Sequence, residues 1–256
     1  MSHYTERLWS ILKEEGLPGL TRRIAKKSKR LIGGKYNLDD AYDDKFFLFN
    51  LADSRPQAEW LAPKLARALG IKSMVDIGCA TGHWVNAFLN CGVDAKGIEG
   101  SRSAGHYLVC PKDRVIFADL REPLSTPAQE VDFVISIEVA EHIELKYADT
   151  FVQNIVRYNP KHIFMTAATP GQGGHFHVNE QPFDYWIKQL QKFGYALDQE
   201  TKDVVVGFVD EGRRLKAVPP IMRHPGIQHD GVWIPDWMPK NLLVFSKTKL
   251  PEGFSS

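Results

Sequence analysis

From Ser54 onward, short apolar runs alternate with longer amphipathic stretches. The runs at 73–77, 95–98, 114–117, 131–137 and 161–167 are dense in Val, Ile, Phe and Met, and Gly, Asp or Pro bounds most of them; they read as buried strands. The stretches at 83–90, 102–108, 145–157 and 182–193 carry helical spacing. A further helix is predicted to start at Ser54, a good capping residue, to place Leu61, Leu65, Ala68 and Leu69 on one face, and to stop at Gly70. The last apolar run, 241–247, closes the core. Thr201–Leu215 fits either a capped helix or a penultimate strand followed by a loop. Strand–helix alternation with short turns is the pattern of an α/β, doubly wound, mostly parallel sheet with helices on both faces.

The segment before this core, residues 1–53, reads as a helical appendage. Within it, 22–30 holds six basic residues and no acid, so the net charge of +1 hides a body that is mildly acidic. A basic segment of this kind is a footprint for nucleic acid or anionic lipid, although a solvated helix face with Leu20, Ile24 and Leu31 turned inward is the simpler reading. The catalytic domain is therefore expected over 54–256, with an insertion around 207–240 on the acceptor side. That insertion is too long for a hairpin turn, and Trp233 and Trp237 mark it as a lid or binding element. No run approaches the roughly 20 apolar residues of a membrane span. An odd number of cysteines, Cys79, Cys91 and Cys110, suggests a reducing compartment, and a cytoplasmic location is the expectation.

The chemistry concentrates in two places. The first is Met74-Val-Asp76-Ile-Gly78-Cys-Ala80-Thr-Gly82, followed by a second strand that ends at Glu99. A dinucleotide fingerprint needs Gly-x-Gly-x-x-Gly, and here Ala80 and His83 hold the second and third positions. There is no phosphate-cradling loop ending in Gly-Lys-Ser/Thr either. The second place is the strand 131–137 running into Glu138-Val-Ala-Glu141-His142.

At these residues the chain resembles the class I S-adenosylmethionine-dependent methyltransferases. The resemblance implies a seven-stranded sheet with an antiparallel last strand, and S-adenosylmethionine as cofactor. Asp76, Gly78, Ala80 and Gly82 would form the cofactor turn, and Glu99 would hold the ribose hydroxyls. Asp119 and the Leu120 amide would meet the adenine, and Glu138 the methionine half. His142 is the expected general base, its tautomer held by Glu141 or Glu138, because an alcohol acceptor must lose a proton as it is methylated. His175, His177 and Asn179, on a glycine-rich loop after the fifth strand, are expected to bind the acceptor.

The expected activity is methylation of a hydroxyl on a small or glycan-like acceptor. Two alternatives stand beside it. One is an RNA 2′-O-methyltransferase gripping nucleic acid through 22–30. The small-RNA terminal 2′-O-methyltransferases use a similar Glu-x-x-Glu-His plus a later histidine to hold a divalent ion, and here Glu138, Glu141, His142 and His177 would be the ligands. The sequence after His177 departs from that family's signature, so the expectation is no metal. The other alternative is a cofactor-binding partner protein without catalysis. The sequence is silent on oligomeric state.

Overall fold

A computed structural model describes residues 37–42, 44–125, 127, 129–215 and 237–248. The chain divides into two units, Met1–Ala41 and Tyr42–Ser256. Of the first, the described part is a single helical turn, α1 (Leu38–Ala41), preceded by Asn37, whose side chain accepts the Asp39 amide at 3.1 Å. The basic segment 22–30 lies outside the described residues, as do residues 216–236 of the expected insertion.

The second unit is a seven-stranded sheet in the order β3-β2-β1-β4-β5-β7-β6. Its strands are β1 (Ser73–Ile77), β2 (Asp94–Glu99), β3 (Val115–Phe117), β4 (Phe133–Ile137), β5 (His162–Thr166), β6 (Tyr195–Leu197) and β7 (Leu242–Lys247). β1 to β5 run parallel, and β7 is antiparallel to both neighbours, as the resemblance implies. Period-two alternation builds two cores, one on each face. Met74, Phe133, Ile135, Phe164, Leu242 and Val244 turn to one side, against α2 (Asp44–Leu69), α3 (His83–Leu89) and α6 (Gln199–Leu215). Val75, Ile77, Val134, Ile163, Met165, Leu243 and Phe245 turn to the other, against α4 (Ala148–Val156) and α5 (Phe183–Gln191). The short α7 (Trp237–Asn241) leads into β7. Asp76 is in register with the first set, so its carboxylate emerges on the α2–α3 face.

Three expectations change. The helix predicted from Ser54 begins at Asp44, and Ser54 lies inside it. Burial decides this: Phe47 is 1% exposed and stacks on Tyr107 at 5.5 Å, so the helix is extended by tertiary packing beyond a local cap signal, and it tolerates Pro56 and Pro63. The 102–108 helix is a single 3₁₀ turn, Arg102–His106, and the 145–157 helix opens with another, Leu145–Tyr147. Thr201–Leu215 is helical. Asp198 caps it, its two carboxylate oxygens taking the Thr201 amide (2.9 Å) and hydroxyl (2.7 Å), while Val205 and Val209 are buried below. The penultimate strand is instead the three-residue β6. The α6–α2 contact is close: a Cβ on Gly212 would stand 2.6 Å from the Trp60 indole, which donates to the Phe208 carbonyl at 2.9 Å. Among the described residues no helix is long and apolar enough to cross a membrane.

Candidate active site

The turn after β1 sits at the carboxyl ends of the parallel strands, where open α/β sheets bind ligands. Gly78 (φ +84°) and Gly82 (φ +71°) adopt a left-handed backbone, and a Cβ on either would collide with Val139 or Cys110 at 2.4 Å. Ala80 is left-handed as well, at φ +46°. Glu99 braces this turn: one carboxylate oxygen accepts the Ala80 amide and the other the Ser101 amide, each at 2.7 Å. A carboxylate oxygen accepts more than one hydrogen bond, so bracing the turn and holding a ribose hydroxyl are compatible. Asp76 is buried with no partner on Oδ2, and burial, reinforced by the Glu99 charge, pushes its carboxyl well above the usual range. Such an orphaned carboxyl fits a positively charged ligand group, as the methionine ammonium of S-adenosylmethionine would be. Burial also holds Cys79 firmly as a thiol and pushes Cys110 up to about 11.

Asp119 follows β3. Its carboxylate is gripped by Arg121 through Nε–Oδ1 and Nη2–Oδ2, both 2.9 Å, and takes the Arg121 amide at 2.9 Å. Asn154 on α4 ties the Leu120 carbonyl (3.1 Å) and the Glu122 carbonyl (2.9 Å) from the other side. Arg121 and Asn154 therefore set the position of Asp119 and Leu120. Sequence reading missed both; the two-residue spacing from Asp119 was the signal available for Arg121.

At the exit of β4, Glu138 has φ +54° and its amide donates to the Thr166 hydroxyl at 2.9 Å. Its carboxylate accepts from Asn241 at 3.3 Å. Next comes a 3₁₀ turn, Ala140–His142. The loop after β5 docks on it: the Glu141 carbonyl accepts the Val178 and Asn179 amides (2.9 and 3.0 Å), and His142 Nδ1 meets the Phe176 carbonyl at 3.2 Å. Three of the four non-glycine residues with positive φ among the described residues, Ala80, Glu138 and Phe176, belong to this region. Backbone strain of that sort concentrates at ligand sites.

The docked loop brings His177 beside Glu141 and His142. The two imidazoles meet edge to face at 5.1 Å, and His177 Nε2 lies 3.9 Å from Glu141 Oε1. Glu141 is fully buried; burial, then the neighbouring Glu138 charge, raises its pKa well above the carboxylate range. Burial, then the His177 charge, drives His142 down to about 3. His142 is thus neutral at physiological pH and a weak proton acceptor. His177 Nδ1 bonds Glu180 at 2.9 Å, and Glu180 also takes the Gly171 (2.8 Å) and Gly173 (2.7 Å) amides. Sequence reading passed over Glu180, whose partners are set by the loop fold. His175 does not join the cluster; it is exposed and stacks on Phe46 at 6.2 Å. Asn179 is buried, bonded by Gln181 at 2.8 Å.

Residues 52–202 match the family model described as a methyltransferase domain. No curated protein matches the chain. Among solved structures, the sugar N-methyltransferase KedS8 from Streptoalloteichus sp. shares the fold with a TM-score of 0.53, at 15% identity over 85% of this chain and 98% of its own. A SAM-dependent methyltransferase from Archaeoglobus fulgidus is similar at 19% identity over 59% of this chain and 75% of its own, with a TM-score of 0.48. The matched span runs from α2 into α6 and contains the glycine turn, Glu99, Asp119 and the Glu138–His142 exit, and with it the chain belongs to the methyltransferase-domain family as a class I S-adenosylmethionine-dependent methyltransferase.

Proposed function

We propose that this enzyme methylates a hydroxyl of a small or glycan-like acceptor. The observation that carries the reading is the placement of Glu141 and His142 at the exit of β4, the strand next to β1 and its glycine turn, with His177 of the loop after β5 docked beside them. The cofactor supplies an electrophilic methyl on a sulfonium, and the chain's own task is alignment of the acceptor and removal of its proton. The Glu99-braced turn and the buried Asp76 carboxyl would hold the ribose and amino-acid ends, Asp119 and Leu120 the adenine. Glu138, Glu141, His142 and His177 would line the transfer end, with Asn179 in the wall behind. His175, Phe46 and Tyr42 form an aromatic outer side suited to a planar or sugar-like ring; Tyr42 lies 5.9 Å from the His142 ring and 4.6 Å from Phe46.

Transfer of tritiated methyl from S-adenosylmethionine to methyl α-D-glucopyranoside or catechol tests the acceptor class, with total RNA as the competing arm; labelling of RNA alone would reverse the choice. S-adenosylhomocysteine should bind in calorimetry, and Glu99→Ala should weaken it by roughly 1.5–3 kcal/mol, the scale of a hydrogen bond to a charged group. Unchanged affinity in that variant would remove Glu99 from the ribose site.

A second reading is favoured by one observation. Glu141, His142 and His177 each offer a ligand atom, all within 4.8 Å of one another, and two imidazoles with a carboxylate suit a borderline divalent ion. Glu138, the fourth ligand of the metal-dependent alternative, is not in this group. On the metal-free reading, activity survives treatment with a strong chelator; loss on chelation, restored by Mn²⁺ or Zn²⁺, would establish the ion.

A further inference from the structure

We propose that Asn241 is a positioning residue of the transfer end: it holds the Glu138 carboxylate toward the positively charged methionine half of the cofactor and ties it to the loop after β5. This rests on the placement of Glu138 in the reading above and needs nothing from the choice of acceptor.

Sheet register brings the two residues together. Ile137 of β4 pairs with Thr166 of β5, and Thr166 pairs with Leu242 of β7. One step beyond these pairs stand Glu138, which follows β4, and Asn241, which precedes β7, on either side of β5. The Asn241 side chain crosses the end of β5 and donates from Nδ2 to Glu138 Oε1 at 3.3 Å and to Gln172 Oε1 at 3.1 Å. Its neighbours fix which way that amide points. Gln172 Oε1 already takes the Thr169 amide at 3.3 Å, so it is an oxygen, and the Asn241 atom beside it must be the NH₂ nitrogen. The same nitrogen faces Glu138 and gives it the other hydrogen. Asn241 is 4% exposed, so little water competes for either bond.

Glu138 needs such a partner. Its backbone is left-handed at φ +54°, a strained conformation for a residue with a side chain, and the Thr166 hydroxyl fixes its amide at 2.9 Å. The backbone is thus set from β5 and the carboxylate from α7. Glu138 is also bonded by Glu141, its neighbour in the same turn; Asn241 is the partner that reaches it from another strand. Gln172 extends the tie into the loop that carries His177 and Asn179. The residues on both sides of it, Gly171 and Gly173, donate their amides to Glu180, so this part of the loop has a set shape. Asn241 itself directly follows the insertion expected at 207–240, and the fully buried Met238 anchors its helix. One amide therefore joins the exits of β4 and β5 to the start of β7.

A carboxylate held at the transfer end favours a positive ligand over a neutral one of similar shape, and that difference gives the test. Sinefungin carries a protonated amine where the cofactor has its methyl sulfonium; S-adenosylhomocysteine is neutral there. Both are titrated by calorimetry against the full chain. Glu138→Gln should reduce the preference for sinefungin roughly tenfold, as loss of a charged partner does. Asn241→Leu should reduce it by roughly three- to tenfold, and should add nothing further in the Glu138→Gln background, because it acts through that carboxylate. A merely structural Asn241 would weaken both ligands alike and leave their ratio in place, which overturns the proposal, as does a further fall of the ratio in the double variant. A ratio unchanged by Glu138→Gln removes Glu138 from the transfer end, and the proposal with it. Should Asn241→Leu not unfold cooperatively, Asn241→Ala, which adds no bulk at this buried position, carries the same measurements. The choice between sugar, catechol and RNA as acceptor does not enter any of them.

Discussion

Gly82→Val is expected to abolish measurable binding of S-adenosylhomocysteine, the largest single effect on cofactor recognition. Two costs add at this position. The backbone is left-handed at φ +71°, which strains a β-branched side chain by more than the roughly 1–2 kcal/mol of an ordinary residue. The added Cβ also meets Cys110 Sγ at 2.4 Å and Leu108 at 3.7 Å. Cys110 is buried, so it cannot swing into solvent; the turn must move instead, and with it the Ala80 amide that Glu99 holds. The two costs separate experimentally. Gly82→Ala keeps the collision with Cys110, and Gly82→Ala with Cys110→Ala removes it while leaving the φ cost. Calorimetry should rank affinity as wild type, then the double variant, then Gly82→Ala, with Gly82→Val showing none. Wild-type affinity in Gly82→Val would refute the role given to this turn.

That turn was legible in the sequence because its chemistry is local. An acid, two glycines and a second acid at the end of the next strand are fixed by steric demands within a few residues of each other. The sheet was legible for a related reason: β1, β4, β5 and β7 are buried on both faces, and continuous apolar runs follow directly. What escaped depends on distant partners. β6 is three residues at a sheet edge, held by pairing with β7, and carries too little pattern to stand out. The first turns of α2 are specified by what Phe47 packs against. Glu180 looks like any loop acid until the loop folds back and presents it with two amides and an imidazole.

Between pH 6.5 and about 3 the buried His83 should cost the protein stability as the pH falls. His83 is 5% exposed, with Nδ1 3.0 Å from the Thr81 hydroxyl, and burial, then the Arg55 charge, lowers its pKa from 6.5 to about 3. The unfolded chain binds a proton on this imidazole near pH 6.5 and the folded chain does not until about pH 3, so between those values unfolding takes up a proton. Stability is therefore full above pH 6.5 and falls as the pH drops, with a limiting slope of about 1.4 kcal/mol per pH unit for each such group. His142, lowered to about 3 by the same burial, acts in the same direction. Asp76 and Glu141 act in the opposite one: their raised pKa values let the folded chain bind protons first, so acidification relieves part of the cost of burying them. The wild-type curve mixes these contributions, and a single substitution isolates one. In His83→Asn, which retains a polar partner for Thr81, urea unfolding between pH 7 and 4.5 should show a flatter loss of stability than wild type, the difference in slope approaching that limiting value below pH 6. Parallel curves for the two proteins would mean that His83 is protonated within the fold, and the packing described around it would have to be wrong.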